Sequence, residues 1–138
     1  MLSLSFHHVA LSVSNLDVSV SFYEQLGFYK VHHYTNLEGV YEVVHLKLED
    51  MMIELFSYSE YQPLPESAQE NNTDLPIVGT KHFALQTEDI QKTLQAFKKI
   101  NIAHKDTFVK QSKTGTQYFF FQDPDGTLVE IVQDDRAI

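Results

Sequence analysis

What most limits the folds open to this chain is that it carries one strand-turn-helix pattern twice. Residues 7–28, HHVALSVSNLDVSVSFYEQLGF, are echoed 74 positions later by residues 81–102, KHFALQTEDIQKTLQAFKKINI. At that offset His8 meets His82, Ala10 meets Ala84 and Leu11 meets Leu85. Asn15 then meets Asp89, Leu16 meets Ile90, Ser19 meets Thr93, Tyr23 meets Phe97 and Leu26 meets Ile100. Three identities alone carry little weight, but the conservative matches stay in register, as a duplicated unit requires. Each copy also closes on a similar strand, DMMIELFSY over 50–58 and GTLVEIVQD over 126–134, which sets Glu54 against Glu130.

The order within each copy is strand, helix, strand, strand, strand. Residues 6–13 alternate, with Val9, Leu11 and Val13 on one face and His8, Ala10 and Ser12 on the other. Ala10 and Ser12 are small, so His8 stands on an open face. Asn15 is suited to cap a helix carrying Leu16, Val20, Tyr23 and Leu26, and Gly27 is suited to stop it. Phe28–Leu37, Val40–Glu49 and Met51–Tyr58 read as strands. In the second copy, Lys81–Thr87 alternates, Asp89 caps the helix, and Ala103–Val109, Gln117–Gln122 and Leu128–Val132 are the expected strands. Asp123-Pro124-Asp125-Gly126 signals a turn. The organisation expected is one domain over 1–138, made of modules 1–58 and 80–138. Residues 59–79, with three of the four prolines, serve as linker. A module of this size buries only roughly 60% of its unfolded surface, so it needs a partner module or a second chain.

Composition narrows the function classes. The formal net charge of −9 argues against nucleic acid and anionic membranes as partners. With no cysteine there is no disulfide, thiolate nucleophile or sulfur-ligated metal. No basic segment leads into an apolar run at the N-terminus, and no apolar run nears the roughly 20 residues that span a bilayer. A cytoplasmic protein is expected.

Glu54 and Glu130 each stand alone on strands otherwise apolar on both faces. A buried carboxylate is costly unless it is paired or ligates a metal. A single strand His or Glu is ordinarily a satisfied structural residue, but two of each at repeated positions point to a site. Two imidazoles and two carboxylates suit a divalent first-row metal, and the missing sulfur disfavours structural zinc. Of the other histidines, His7 points away from His8, only one of His32 and His33 can face the cavity, and His45 is placed to line it.

Taken together these residues resemble the vicinal oxygen chelate superfamily, which includes glyoxalase I, bleomycin-resistance proteins and extradiol dioxygenases. The resemblance is carried by His8-Val-Ala-Leu with Asn15-Leu16, Phe22-Tyr23 before Leu26-Gly27-Phe28, and Ile53-Glu54-Leu55. In the second half it is carried by His82-Phe-Ala-Leu with Asp89-Ile90, and by Asp123-Pro124-Asp125-Gly126 running to Glu130. It implies an α+β fold in which paired βαβββ modules form a cupped mixed sheet around a metal. It assigns His8, Glu54, His82 and Glu130 as metal ligands, in a homodimer whose subunits share the site. The set His-Glu-His-Glu is most similar to glyoxalase I of the nickel- or cobalt-preferring type, with zinc, manganese and iron as the other candidate ions. The activity implied is that of a lyase or isomerase moving a proton beside a chelated carbonyl of a small-molecule substrate such as a hemithioacetal. Glu130, and Glu54 second, would be the catalytic carboxylates. Glutathione-dependent members typically carry Arg and Asn where this chain has Ser12 and Tyr58, so the thiol need not be glutathione. The alternatives within the same fold are a metal-dependent dioxygenase and a resistance protein that sequesters a small ligand.

Overall fold

The computed structural model describes residues 2–138 and divides the chain into two compact units, Met1–Pro63 and Leu64–Ile138. In the first unit β1 (Val9–Ser12) leads into α1 (Leu16–Gln25), followed by β2 (Tyr29–Thr35), β3 (Tyr41–Leu48) and β4 (Met51–Tyr58). The strands form one mixed sheet in the order β1-β4-β3-β2, with β1 parallel to β4 and the other pairs antiparallel. A parallel neighbour cannot be reached by a tight hairpin, and α1 provides the crossover that β1 needs.

Local chemistry fixes α1. The Asn15 side chain accepts from the Val18 amide at 3.1 Å, and Gly27 follows the helix at φ 97°, where a side chain is strained. Leu16, Ser19 and Tyr23 form its buried stripe. Against it lie Val13, Val44, Leu46, Ile53 and Leu55, all buried, with the Phe28 ring edge-on to Tyr23 at 5.7 Å between centroids. That packing occupies one face of the sheet. The opposite face carries Ala10, Ser12, Glu54 and His45, and Ala10 and Ser12 are exposed there.

The second unit begins with a short 3-10 turn (Glu66–Gln69) and α2 (Asn71–Asp74), both within the segment read from sequence as linker. Specific bonds attach that segment to the second unit. Lys81 Nζ reaches the Asp74 carboxylate and carbonyl at 3.0 Å each, and the Gln122 amide donates to the Gln69 carbonyl at 2.7 Å. The repeat then follows as β5 (Phe83–Gln86), α3 (Ile90–Lys99), β6 (Lys110–Gln111), β7 (Gln117–Gln122) and β8 (Leu128–Gln133). The sheet order β5-β8-β7-β6 reproduces that of the first unit, with β5 parallel to β8. The register is reproduced as well: Ala10 pairs with Glu54, and Ala84 pairs with Glu130. Asp89 caps α3 through the Lys92 amide at 3.0 Å, and Phe97 stands edge-on to Phe119 and Phe121.

One expected strand is absent. Ala103–Val109 does not form a ladder, and only the two residues that follow it, Lys110–Gln111, pair as β6. The His104 ring nitrogen Nδ1 accepts from the Asp106 amide at 3.2 Å, and the His104 carbonyl accepts from Thr107 at 3.0 Å. A side chain that satisfies the backbone locally competes with sheet pairing in this way. Between β7 and β8 the expected turn forms. Buried Asp123 accepts from the Asp125 and Thr127 amides at 3.0 and 2.9 Å. Gly126 has φ 90°, and a Cβ there would come within 3.3 Å of Gln69.

Candidate metal centre

Each unit brings the imidazole that stands at the repeated position and one carboxylate together on the open face of its sheet. In the first unit His8 immediately precedes β1 and Glu54 lies on its parallel neighbour β4, with His8 Nε2 3.6 Å from Glu54 Oε1. In the second unit His82 immediately precedes β5 and Glu130 lies on β8, with Nε2 3.2 Å from Oε2. The site histidine stands two residues before the alanine that pairs with the glutamate in both units, so its ring comes over the glutamate along the strand. The carboxylates are about four-fifths shielded from solvent.

Two donors, each about 2.1 Å from one ion, lie roughly 3.0 Å apart at a right angle and roughly 3.4 Å apart at the tetrahedral angle. The separations of 3.2 and 3.6 Å lie in or near that window. The second pair has a further feature: His82 Nδ1 is buried and makes no hydrogen bond. With the proton on Nδ1, the Nε2 lone pair faces a carboxylate oxygen. With the proton on Nε2, a buried acceptor is left unmet at a cost of roughly 1–3 kcal/mol. A cation at Nε2 relieves the lone-pair repulsion of the first arrangement but leaves the buried Nδ1–H without an acceptor, so the fit to a divalent metal rests on the donor types, imidazole and carboxylate, and on their spacing. Among the described residues no three or more His, Asp or Glu side chains form a cluster that could hold a metal ion.

The remaining histidines divide by face. His45 lies opposite Glu54 in the β3–β4 register and meets its second oxygen, Nε2 to Oε2, at 2.6 Å. The His32 ring is tilted over His45 at 5.8 Å between centroids. His33 turns to the other face and bonds Glu42 at 2.7 Å. His7 does not point away from His8: the two rings meet edge-on, with Nδ1 to Nδ1 at 2.8 Å. Residues 2–7 make no strand, and without a pleat to alternate on, His7 is free to turn onto its neighbour. His104 lies outside the pair, in the loop that stands in place of the expected strand Ala103–Val109. That loop borders a crevice of about 710 Å³, which Phe120 also lines, and the Phe120 ring stands edge-on to His82 at 4.9 Å.

The His45 contact is the feature that sequence reasoning left undecided. Its signal was present: the two-residue turn at Glu49-Asp50 pairs Leu48 with Met51, and counting back along both strands sets 45 opposite 54.

Three comparisons bear on this geometry. A sequence model described as "Glyoxalase/Bleomycin resistance protein/Dioxygenase superfamily" matches residues 5–131. The chain is 30% identical over 131 residues to "Uncharacterized protein YwbC" of Bacillus subtilis, covering 91% of this chain and 94% of that protein. It is 26% identical over 130 residues to "Glyoxylase I 4" of Arabidopsis thaliana, covering 92% of this chain and 69% of that protein. Among solved structures, a glyoxalase family protein from Enterococcus faecalis superposes with a TM-score of 0.76 at 28% identity, covering 93% of this chain and 96% of that one.

Proposed function

The chain belongs to the glyoxalase/bleomycin resistance protein/dioxygenase superfamily, and from that premise we propose that it is a divalent-metal-dependent enzyme of the glyoxalase I type. The metal ligands are His8, Glu54, His82 and Glu130. The two halves of the set come from two copies of the chain in a cytoplasmic homodimer, and nickel or cobalt is the favoured ion. The observation that supports this reading is the duplication of an imidazole–carboxylate pair at donor spacing, 3.6 Å in one unit and 3.2 Å in the other. A ring-cleaving redox site resembling extradiol dioxygenases needs only one carboxylate, whereas proton transfer needs a second that is able to move.

A divalent ion held by these four residues would supply Lewis acidity to the substrate carbonyl. The protein supplies the proton transfer. The Glu130 carboxylate takes the proton from the carbon beside the carbonyl and returns it to the adjacent carbon. With a hemithioacetal the hydroxyl proton passes to the former carbonyl oxygen as well, so the product is a 2-hydroxy thioester and no atom or electron is gained or lost. Phe120, opposite Glu130 in the β7–β8 register, keeps one side of the carboxylate apolar and favours retention of the proton between the two transfers. The test is turnover of a hemithioacetal formed from methylglyoxal and a small thiol, with glutathione as one of several thiols. Glu130→Gln is expected to lower turnover by about 10²–10⁴-fold. Full turnover in both Glu130→Gln and Glu54→Gln contradicts the proposal.

A second reading is supported by β2, where Tyr29, Val31 and Tyr34 are each about half exposed. Apolar surface of that kind suits a protein that sequesters a small hydrophobic ligand. Such a protein binds its ligand equally well after the metal has been stripped.

A further inference from the structure

We infer that His45 is a positioning residue: it ties down one oxygen of Glu54, making that carboxylate a fixed, single-oxygen ligand and leaving Glu130 as the one free to move. This rests on the metal-dependent reading above.

The two halves of the repeat match in topology, in register and in the imidazole–carboxylate pair, but they differ at the position across from the glutamate. Opposite Glu54 stands His45, and opposite Glu130 stands Phe120. An ionised carboxylate only accepts hydrogen bonds, so in the 2.6 Å contact His45 Nε2–H donates to Glu54 Oε2. That distance is a charge-assisted hydrogen bond. It is shorter than the roughly 3.0 Å that separates two donors on one ion, as befits a hydrogen-bonding partner of the carboxylate. With Oε2 held, Oε1 is the oxygen that faces His8 Nε2, at 3.6 Å. His45 is in turn backed by the His32 ring. A phenylalanine has no proton to donate, so nothing equivalent restrains Glu130 from across its ladder. The sheet thus distinguishes two carboxylates that the repeat makes otherwise equivalent.

Outer partners of metal ligands typically contribute 10–100-fold in metal affinity. The experiment uses the full chain, cobalt(II) as probe, and two variants: His45→Phe, which copies the second half, and His45→Gln, which keeps an N–H donor. Thermal melting confirms that each variant folds. In the native chain before metal is added, nitrogen-15 NMR should place the His45 ring proton on Nε2, and Glu54→Ala should remove its hydrogen-bonded shift. His45→Phe should weaken cobalt binding 10–100-fold and alter its visible ligand-field bands, because Glu54 is then able to offer both oxygens. His45→Gln should recover most of the affinity and the native spectrum. Equal cobalt affinity and identical spectra in the native chain and His45→Phe overturn the inference and leave the metal-dependent reading intact. A His45 proton on Nδ1 overturns it as well. A native chain that takes up no cobalt but keeps the Nε2 proton overturns the metal-dependent reading, while the hold of His45 on Glu54 stands.

Discussion

Single side chains carry most of what is specific to this molecule. His8 and His82 were legible as a pair because the repeat aligned them, and Glu54 and Glu130 because each interrupts an apolar strand. What sequence did not settle was the contact of each ring's second nitrogen. His8 Nδ1 meets His7 at 2.8 Å, whereas His82 Nδ1 is buried without a partner. Such contacts depend on side-chain torsions, which a periodic pattern does not encode. A second buried orphan lies away from the site. Ser19 Oγ, in the middle of α1, is buried and makes no hydrogen bond. Alanine there removes an unmet polar group and improves helix propensity, so Ser19→Ala should stabilise the first unit by about 1 kcal/mol. Thermal melting reads this directly, and a lower melting temperature would show that the hydroxyl is satisfied in solution.

Whole elements were the easiest to read, for identifiable reasons. Asn15 and Asp89 announced the two helix starts, and both accept from the amide three residues on, at 3.1 and 3.0 Å. Replacing either with alanine should cost about 1 kcal/mol, measured by denaturant unfolding. Similar losses from the two changes would show that the caps work alike in both units. The sequence failed where a local bond outcompetes a ladder, as at His104, where Ala103–Val109 does not pair. It also missed the short helices of residues 64–79, because segments of four residues are too brief to show a period. Just after β8, Arg136 donates to Asp134 from two guanidinium nitrogens and holds its carboxyl at about 2, and the third guanidinium nitrogen reaches the Thr114 carbonyl at 3.0 Å. The folded value lies below the ordinary 3.8, so the clasp is complete above pH 3.8 and is lost only as pH falls towards 2. Amide exchange in the loop at 112–116 should therefore show no loosening of this clasp between pH 7 and pH 5, and Arg136→Ala should speed it at both.

At the level of the whole molecule, the duplication explains both the fold and the site. Two sheets with one topology and one register place two imidazole–carboxylate pairs by the same construction. That much followed from the 74-residue offset of the histidines and the 76-residue offset of the glutamates, because similar patterns in matching register fold alike. Whether the two pairs serve one ion was not legible, since no periodic pattern records how one surface meets another. Among the described residues no helix is long and apolar enough to cross a membrane. A homodimer that shares its site should sediment as two chains, and stripping its metal should lower its thermal stability in proportion to the binding energy lost. The most direct measurement is the divalent metal content of the dialysed chain, native and with His8, Glu54, His82 or Glu130 singly replaced by alanine. The account predicts one ion per chain in the native protein and a clear loss of bound metal in all four variants. Full metal content in any of the four, or none in the native chain under saturating nickel or cobalt, contradicts it.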